Sequence, residues 1–490
     1  MSSSLKDRAI ASMIWVTIDK TGGYVLLFIS NLILARLLMP EDFGCIAMLN
    51  VFLAIADILV HGGFGTALIQ KKKPTHLDYT SVFYFNLFIS IILYVLLFVS
   101  APAIARFYQL PLLSKVLRIQ ALELIINSFT VVQLSILKKR LQFKALAIRN
   151  ISSSLIGVIV CVICALFGMG VWSLVANVLI SRLFGVLFLW KASDWRPTFE
   201  FSFSSVKELF GFGGFMMLSS IISSIYANLQ SLLIGKFYSP SDLGYVNQAK
   251  KLESIPSGTL SSIVGQVSFP VFSQLQDETI TLKNAIRKNI KSIQYINLPM
   301  MLLLVIIAKP LILLLYGERW IESIPYFQIL SFSRLIAAIV PLNMSIISAK
   351  GKGKLYLVTQ LIICSAAISL ILVSVRHGII ALLIALAFIP YFEFLVCALV
   401  NHRLIGYGFF QQLKDILPTF GVALALAVSM YFVGSLIPWH PYLVMIIQMI
   451  LYTILYLLST KVLGFEAFNI YYSVFSNWIH QRAFKNKTKQ

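Results

Sequence analysis

The chain has 490 residues, 59% of them hydrophobic and only 12% charged, with a mean hydropathy of +0.87. An ordinary soluble domain is about a quarter charged, so this composition excludes a soluble globular enzyme and points to a polytopic membrane protein. The formal net charge of +21 would suggest nucleic acid as the partner of a soluble chain, but its placement between apolar spans gives a different account, and no nucleic acid is inferred.

From the N-terminus, MSSSLKDRAI runs straight into an apolar stretch without a small-residue cleavage site, so it reads as a retained first helix rather than a removable leader. Stretches of about 20 apolar residues, each long enough to cross a hydrocarbon core of roughly 30 Å as a helix, then recur along the chain. Barrel-type alternation is absent, and isolated strands cannot satisfy their backbone in lipid. The first six spans are predicted at 9–35, 43–68, 78–105, 113–137, 145–167 and 170–190. The linker KASDWRPTFEFSFSSVKE leads to six more, at 209–235, 243–272, 290–315, 322–348, 355–375 and 378–400, and a final pair follows at 415–437 and 441–463 before a basic tail ending KNKTKQ. The expected fold class is therefore all-α with about 14 transmembrane helices. No connection is long enough for a soluble catalytic domain, and no catalytic residue is predicted.

Charge placement orients the spans. With the N-terminus in the cytoplasm, the inside segments carry 27 cations, among them Lys6, Arg8, Lys71 to Lys73, Lys138 to Arg140, Lys144, Arg149, Lys207, Lys283, Arg287, Lys288, Lys291, Lys350 and the tail cations Arg482, Lys485, Lys487 and Lys489. The outside connections hold far fewer, among them Arg36, Arg106, Lys236 and Arg376. The positive-inside rule then places both termini in the cytoplasm, and the basic loops are expected to contact anionic lipid headgroups. Cys161 and Cys164 form a CxxC inside an apolar span without His or acidic neighbours, which reads as packing. No metal site, cofactor, phosphate-cradling glycine loop or nucleophile triad is indicated.

The chain repeats itself. RLLMPEDFG at 36–44 returns as KFYSPSDLG at 236–244, pairing Pro40 with Pro240, Asp42 with Asp242 and Gly44 with Gly244. Further on, Pro102 with Pro310, Tyr108 with Tyr316, Gln120 with Gln328 and Gly170 with Gly378 share a second, constant offset. Six spans per half is an even number, so the halves form a parallel repeat about an axis along the membrane normal. The expected organisation is a lobe over 1–200, a second over 201–408, and a terminal pair with its tail over 409–490, the two six-helix lobes flanking a central cavity. Each motif copy reads as a tight turn. Proline cannot continue the preceding helix, Asp can cap the next one, and glycine permits close packing where two helices meet.

The run LILARLLMPEDFGCIAML, with its weaker echo LLIGKFYSPSDLGYVNQA, resembles the signature of Wzx-type polysaccharide flippases, the polysaccharide-transporter branch of the multidrug/oligosaccharidyl-lipid/polysaccharide exporter superfamily. The resemblance extends to the layout of two six-helix lobes plus two C-terminal helices. It implies export of polyprenyl-pyrophosphate-linked oligosaccharide repeat units across the bacterial cytoplasmic (inner) membrane by alternating access, beside polysaccharide polymerase and glycosyltransferases as partners.

Polar residues at membrane depth are costly and mark cavities or partners. The first two spans of each lobe hold most of them. Asp19, Lys20 and Asn31 lie on the first span and Asn50, Asp57 and His61 on the second; Ser220, Ser224 and Asn228 lie on the seventh; Asn247, Lys250, Lys251, Ser254, Ser257, Gly258, Ser261 and Gly265 form one face of the eighth. A cationic interior suits a pyrophosphate, so Lys20, Lys250, Lys251 and Arg334 are the headgroup-binding candidates, with Asn31, Asn50, Asn228, Asn247 and Ser254 as polar lining. Related lipid-linked peptidoglycan-precursor flippases place cations on helices 1 and 8, matched here by helix by Lys20 and by Lys250 or Lys251. The plainer reading pairs Lys250 or Lys251 with Glu253, Lys20 with Asp57, and Arg182 with Glu123 as structural contacts. Asp19, Asp57 and Glu253 are candidate proton or cation carriers, while Tyr226 and Tyr245 read as sugar-stacking or interfacial residues. Two alternatives stay open: a cation-coupled multidrug antiporter, disfavoured by the basic interior, and an integral-membrane glycosyltransferase or polymerase, disfavoured by the short loops.

Overall fold

The computed structural model describes residues 3–473, apart from the side chains of 3–14, 211–216, 219, 222, 226, 255, 257–271 and 273. Lys6, Arg8, Tyr226, Ser257, Gly258, Ser261, Gly265 and the tail cations therefore lie outside the described residues. Among the described residues the chain is all-helical. The helices are α1 (Ser3–Leu37), α2 (Pro40–His61), α3 (Phe64–Gln70), α4 (His76–Phe107), α5 (Leu112–Gln120), α6 (Leu122–Ser128), α7 (Val131–Lys139), α8 (Phe143–Leu166), α9 (Val171–Ala192) and α10 (Phe203–Phe237). They continue as α11 (Pro240–Gln274), α12 (Thr279–Ile306), α13 (Ala308–Leu315), α14 (Ser323–Ala337), α15 (Val340–Ala349), α16 (Gly353–Ser374), α17 (Ile379–Ile405), α18 (Phe409–Leu436) and α19 (Pro441–Val462).

By length and composition, 11 spans among the described residues can cross a membrane, or 12 when the bent run from α5 to α7 counts as one. The chain is thus a multi-pass membrane protein. Its outward faces fit that medium: Leu357, Leu361, Leu372 and Val373 on α16 and Leu424, Val428 and Tyr431 on α18 stand exposed, a quantity of apolar surface that water would not tolerate and lipid covers.

Four predicted single spans are broken, each for a visible reason. The span expected at 43–68 ends α2 at Gly62 and Gly63, whose φ angles of 53° and 72° close the helix in the left-handed region before α3 begins. The span expected at 113–137 is three helices with a 40° bend. There the Ser128 and Thr130 hydroxyls each donate to a carbonyl three residues back, at 2.7 Å, competing with the helical ladder. At 290–315, α12 stops at Ile306, whose carbonyl Pro310 has no N–H to serve; at 322–348, α14 stops at Ala337, the corresponding partner of Pro341.

Two compact units divide the chain, 1–247 and 248–490. In the first, Phe64 and Leu68 of α3 pack with Phe83 of α4, Val132 and Ile136 of α7, and Trp195. In the second, Ile286, Ile290 and Ile293 recur at helical spacing on α12 and pack with Ile339, Leu342, Phe394, Tyr452 and Tyr456.

Candidate functional site

The two motif copies are N-terminal turns of α2 and α11, each with proline at the first helical position. Asp42 Oδ2 accepts the Met39 N–H at 3.0 Å, and Asp242 Oδ2 accepts the Ser239 N–H at 3.2 Å and the Ser239 hydroxyl at 2.7 Å. Each carboxylate so fixes the residue before the proline. The glycines explain more. A Cβ on Gly44 would lie 1.8 Å from the Pro240 carbonyl oxygen, and a Cβ on Gly244 would lie 2.0 Å from that of Pro40. The copies therefore pack on each other reciprocally, backbone to backbone, within the first unit. Ser241 Oγ donates to Glu41 Oε1 at 3.3 Å across the contact. Lys236, ending α10, sits 4.4 Å from the Phe107 ring centroid and donates to the Phe107 carbonyl at 2.5 Å.

Deeper in the first unit, α1 and α8 are joined by Asp19, whose carboxylate accepts Asn150 Nδ2 at 3.0 and 3.1 Å. Lys20 is exposed on α1, Asn31 is half-buried there, and Asn50 is exposed on α2. On α2, Asp57 Oδ1 accepts Asn127 Nδ2 of α6 at 2.5 Å, and Asp57 Oδ2 lies 3.6 Å from His61 Nδ1. Glu123 of α6 stands 3.8 Å from Arg182 of α9. Asn228 turns back into its own helix, donating to the Ser224 carbonyl at 2.9 Å, and Asn247 is half-buried on α11.

The second unit brings two candidates together that the sequence left apart. Glu253 of α11, 1% exposed, receives the Arg334 Nε of α14 at 2.8 and 3.0 Å. Glu253 thus forms an ion pair with α14 that the sequence pairing had not offered. The Asp57 carboxylate meets Asn127, where Lys20 was offered. Lys250 is half-buried and Lys251 exposed on α11, and Ser254 Oγ donates to the Lys251 carbonyl at 2.9 Å.

Several polar groups were missed. Arg149, counted as a loop cation, lies on α8, where its Nη1 donates to Asn150 Oδ1 at 2.7 Å and its guanidinium faces Gly185 of α9. The signal was its position seven residues into an amphipathic helix. Lys71, counted as contacting headgroups, bridges Asp78 and Glu208 at 3.1 Å each. In the second unit Asn343 Oδ1 accepts both Asn401 Nδ2 at 2.8 Å and Gln412 Nε2 at 2.9 Å, all three residues being fully buried. Arg287 holds Asp415 through three contacts of 2.7 to 2.9 Å. Among the described residues no group of three or more His, Cys, Asp or Glu could hold a metal ion.

These cations and amides are dispersed over long apolar helices of both units. Residues 33–325 match the profile of a family described as polysaccharide biosynthesis protein. The chain is 30% identical over 340 residues to the succinoglycan biosynthesis transport protein ExoT of Rhizobium meliloti, covering 69% of this chain and 68% of that one. It is 26% identical over 355 residues to the lipopolysaccharide biosynthesis protein WzxC of Escherichia coli (71% of each), and 25% identical over 355 residues to the teichuronic acid biosynthesis protein TuaB of Bacillus subtilis (72% and 73%). In fold it is similar to the lipid II flippase MurJ in an inward closed conformation, with a TM-score of 0.75 at 14% identity over 92% of this chain and 98% of that one. An inward-facing MATE multidrug transporter of the MOP superfamily follows at a TM-score of 0.58 and 15% identity, over 84% and 98%. The extent of the profile match and the likeness to ExoT are sufficient for membership: this chain belongs to the polysaccharide biosynthesis protein family.

Proposed function

We propose that the chain is a flippase that translocates polyprenyl-pyrophosphate-linked oligosaccharide repeat units across the bacterial cytoplasmic membrane by alternating access, for O-antigen, capsule or exopolysaccharide biosynthesis. The observation that carries this reading is the family membership, with relatives named for polysaccharide transport. The fold likeness to a lipid II flippase supports it, since lipid II is likewise a lipid-linked saccharide. The reading is of a transporter rather than an enzyme.

The finer parts are proposals as well. With α10 and α11 added to the twelve spans, the count reaches fourteen, divided as lobes over 1–200 and 201–408 and a terminal segment over 409–490. Both termini are placed in the cytoplasm from the distribution of Lys and Arg. Lys20, Lys250, Lys251 and Arg334 are proposed to meet the pyrophosphate, and polysaccharide polymerase and glycosyltransferases to act beside the protein. Glu253 engages Arg334 through Nε, so the terminal guanidinium nitrogens are the donors proposed to meet the phosphate. Charge reversal at Lys250 and Lys251 is expected to abolish export while the folded protein still accumulates; undiminished export removes them from the site. A MATE-like exporter of cationic drugs is the second reading, suggested by the TM-score of 0.58 and opposed by cations among the candidate residues. Dye export from vesicles without movement of lipid-linked oligosaccharide would favour it.

A further inference from the structure

Within the first unit, α2, α6 and α9 bring two carboxylates and one guanidinium to the same region. Asp57 on α2 is compensated by Asn127 Nδ2 at 2.5 Å, while His61 Nδ1 donates to the Asp57 backbone carbonyl at 2.8 Å and lies 3.6 Å from its carboxylate. Glu123 precedes Asn127 by one helical turn on α6 and so shares its face. It is 9% exposed, and Arg182 of α9 stands 3.8 Å away, near the limit of an ion pair. Among the described residues no hydrogen bond reaches the Glu123 carboxyl, and neither α4 nor α5, the other helices against α6, brings a charged group within ion-pair distance.

Three acids elsewhere in the chain are treated differently. Glu253 and Asp415 each hold an arginine at hydrogen-bonding distance, and Asp19 holds an amide. An ionised carboxylate buried among helices needs such partners, because its desolvation is otherwise uncompensated. The neutral acid needs them less, because a polar group rather than a charge is then desolvated. Arg182 has 41% of its side chain exposed, and the Asp57 and His61 side chains are 35% and 36% exposed, so the region is not sealed within the protein.

We propose that Glu123 is a proton-binding site of the transport cycle, neutral while Arg182 stands off and ionised when the guanidinium closes onto it. In the step, the carboxyl O–H bond breaks, its proton passes to water on the exposed side of Asp57 and His61, and the carboxylate formed takes Arg182 as its partner. The reverse step frees Arg182 again. Movement of α9 relative to α6 is then linked to uptake and release of one proton. This rests on the transport reading, but its first readout needs no substrate.

The test is infrared spectroscopy of the purified protein in vesicles, titrated from mildly acidic to alkaline buffer. The expected result is a protonated-carboxyl C=O band that disappears with rising pH and is missing in Glu123→Gln; identical titrations in the two proteins overturn the proposal. Should Glu123→Gln fail to fold, as judged by thermal unfolding, Arg182→Gln replaces it. That variant is expected to keep the band to more alkaline buffer, and an unmoved titration overturns the proposal. In vesicles loaded with a polyprenyl-pyrophosphate oligosaccharide, Glu123→Gln is expected to lose stimulation by a pH gradient while retaining downhill exchange; full stimulation in the variant also overturns it. Wild-type vesicles that show the band but move no lipid-linked oligosaccharide would instead refute the transport reading.

Discussion

At the scale of single residues, the buried ion pair between Glu253 and Arg334 sets a measurable expectation. Glu253→Gln should lower the unfolding temperature in detergent by an amount equivalent to about 1.5 kcal/mol, the lower end for a charged hydrogen bond because Arg334 is partly exposed. An unchanged unfolding temperature would mean that the pair is incidental. The amide triad makes a different prediction. Asn343→Leu removes one of two acceptors from each of the fully buried amides of Asn401 and Gln412, together with the donor to Gln412 Oε1, and should cost about 1–3 kcal/mol in all, since each amide keeps a backbone acceptor. Adding Gln412→Leu in the same chain should cost less than it does alone, since two of the amide's hydrogen bonds are already gone; a double variant as unstable as the sum of the singles would contradict this. The sequence showed that Asp57, Glu253 and Arg334 sit where charges are costly. It could not show their partners, because Glu253 meets a residue 81 positions away and the choice depends on which helix faces meet.

At the scale of elements, the repeated turn was legible as a proline-started helix with an aspartate cap, because those are local features. That the copies touch each other was not, since identical turns can lie anywhere. The reciprocal contacts of Gly44 with Pro240 and Gly244 with Pro40 leave no room for a side chain. A bifunctional thiol reagent should therefore join Glu41→Cys to Ser241→Cys, whose native side chains are 3.3 Å apart, and Gly44→Leu should sharply reduce the yield. Equal yields with glycine and leucine would contradict the contact. The broken spans divide in the same way. Pro310, Pro341 and the Gly62–Gly63 pair stood in the sequence as break signals inside apolar runs. The bend between α6 and α7 had no proline, and rests on Ser128 and Thr130 hydroxyls turning onto the backbone, a choice that composition alone does not reveal.

For the whole molecule, hydropathy dictated a helical membrane protein, and the internal repeat with its motif led to the polysaccharide-transporter branch before any coordinates. Saccharide specificity had no such signal, because it would be spread over exposed and half-buried amides and hydroxyls such as Asn50, Asn228 and Ser254 that resemble ordinary helix residues. The account's central claim is movement of a lipid-linked oligosaccharide, and reconstitution tests it most directly. Purified protein in vesicles with a polyprenyl-pyrophosphate oligosaccharide in one leaflet should expose that saccharide to an added lectin or glycosidase on the opposite side, at a rate that charge reversal at Lys250 and Lys251 abolishes. Saccharide that stays inaccessible at the rate of protein-free vesicles would contradict it.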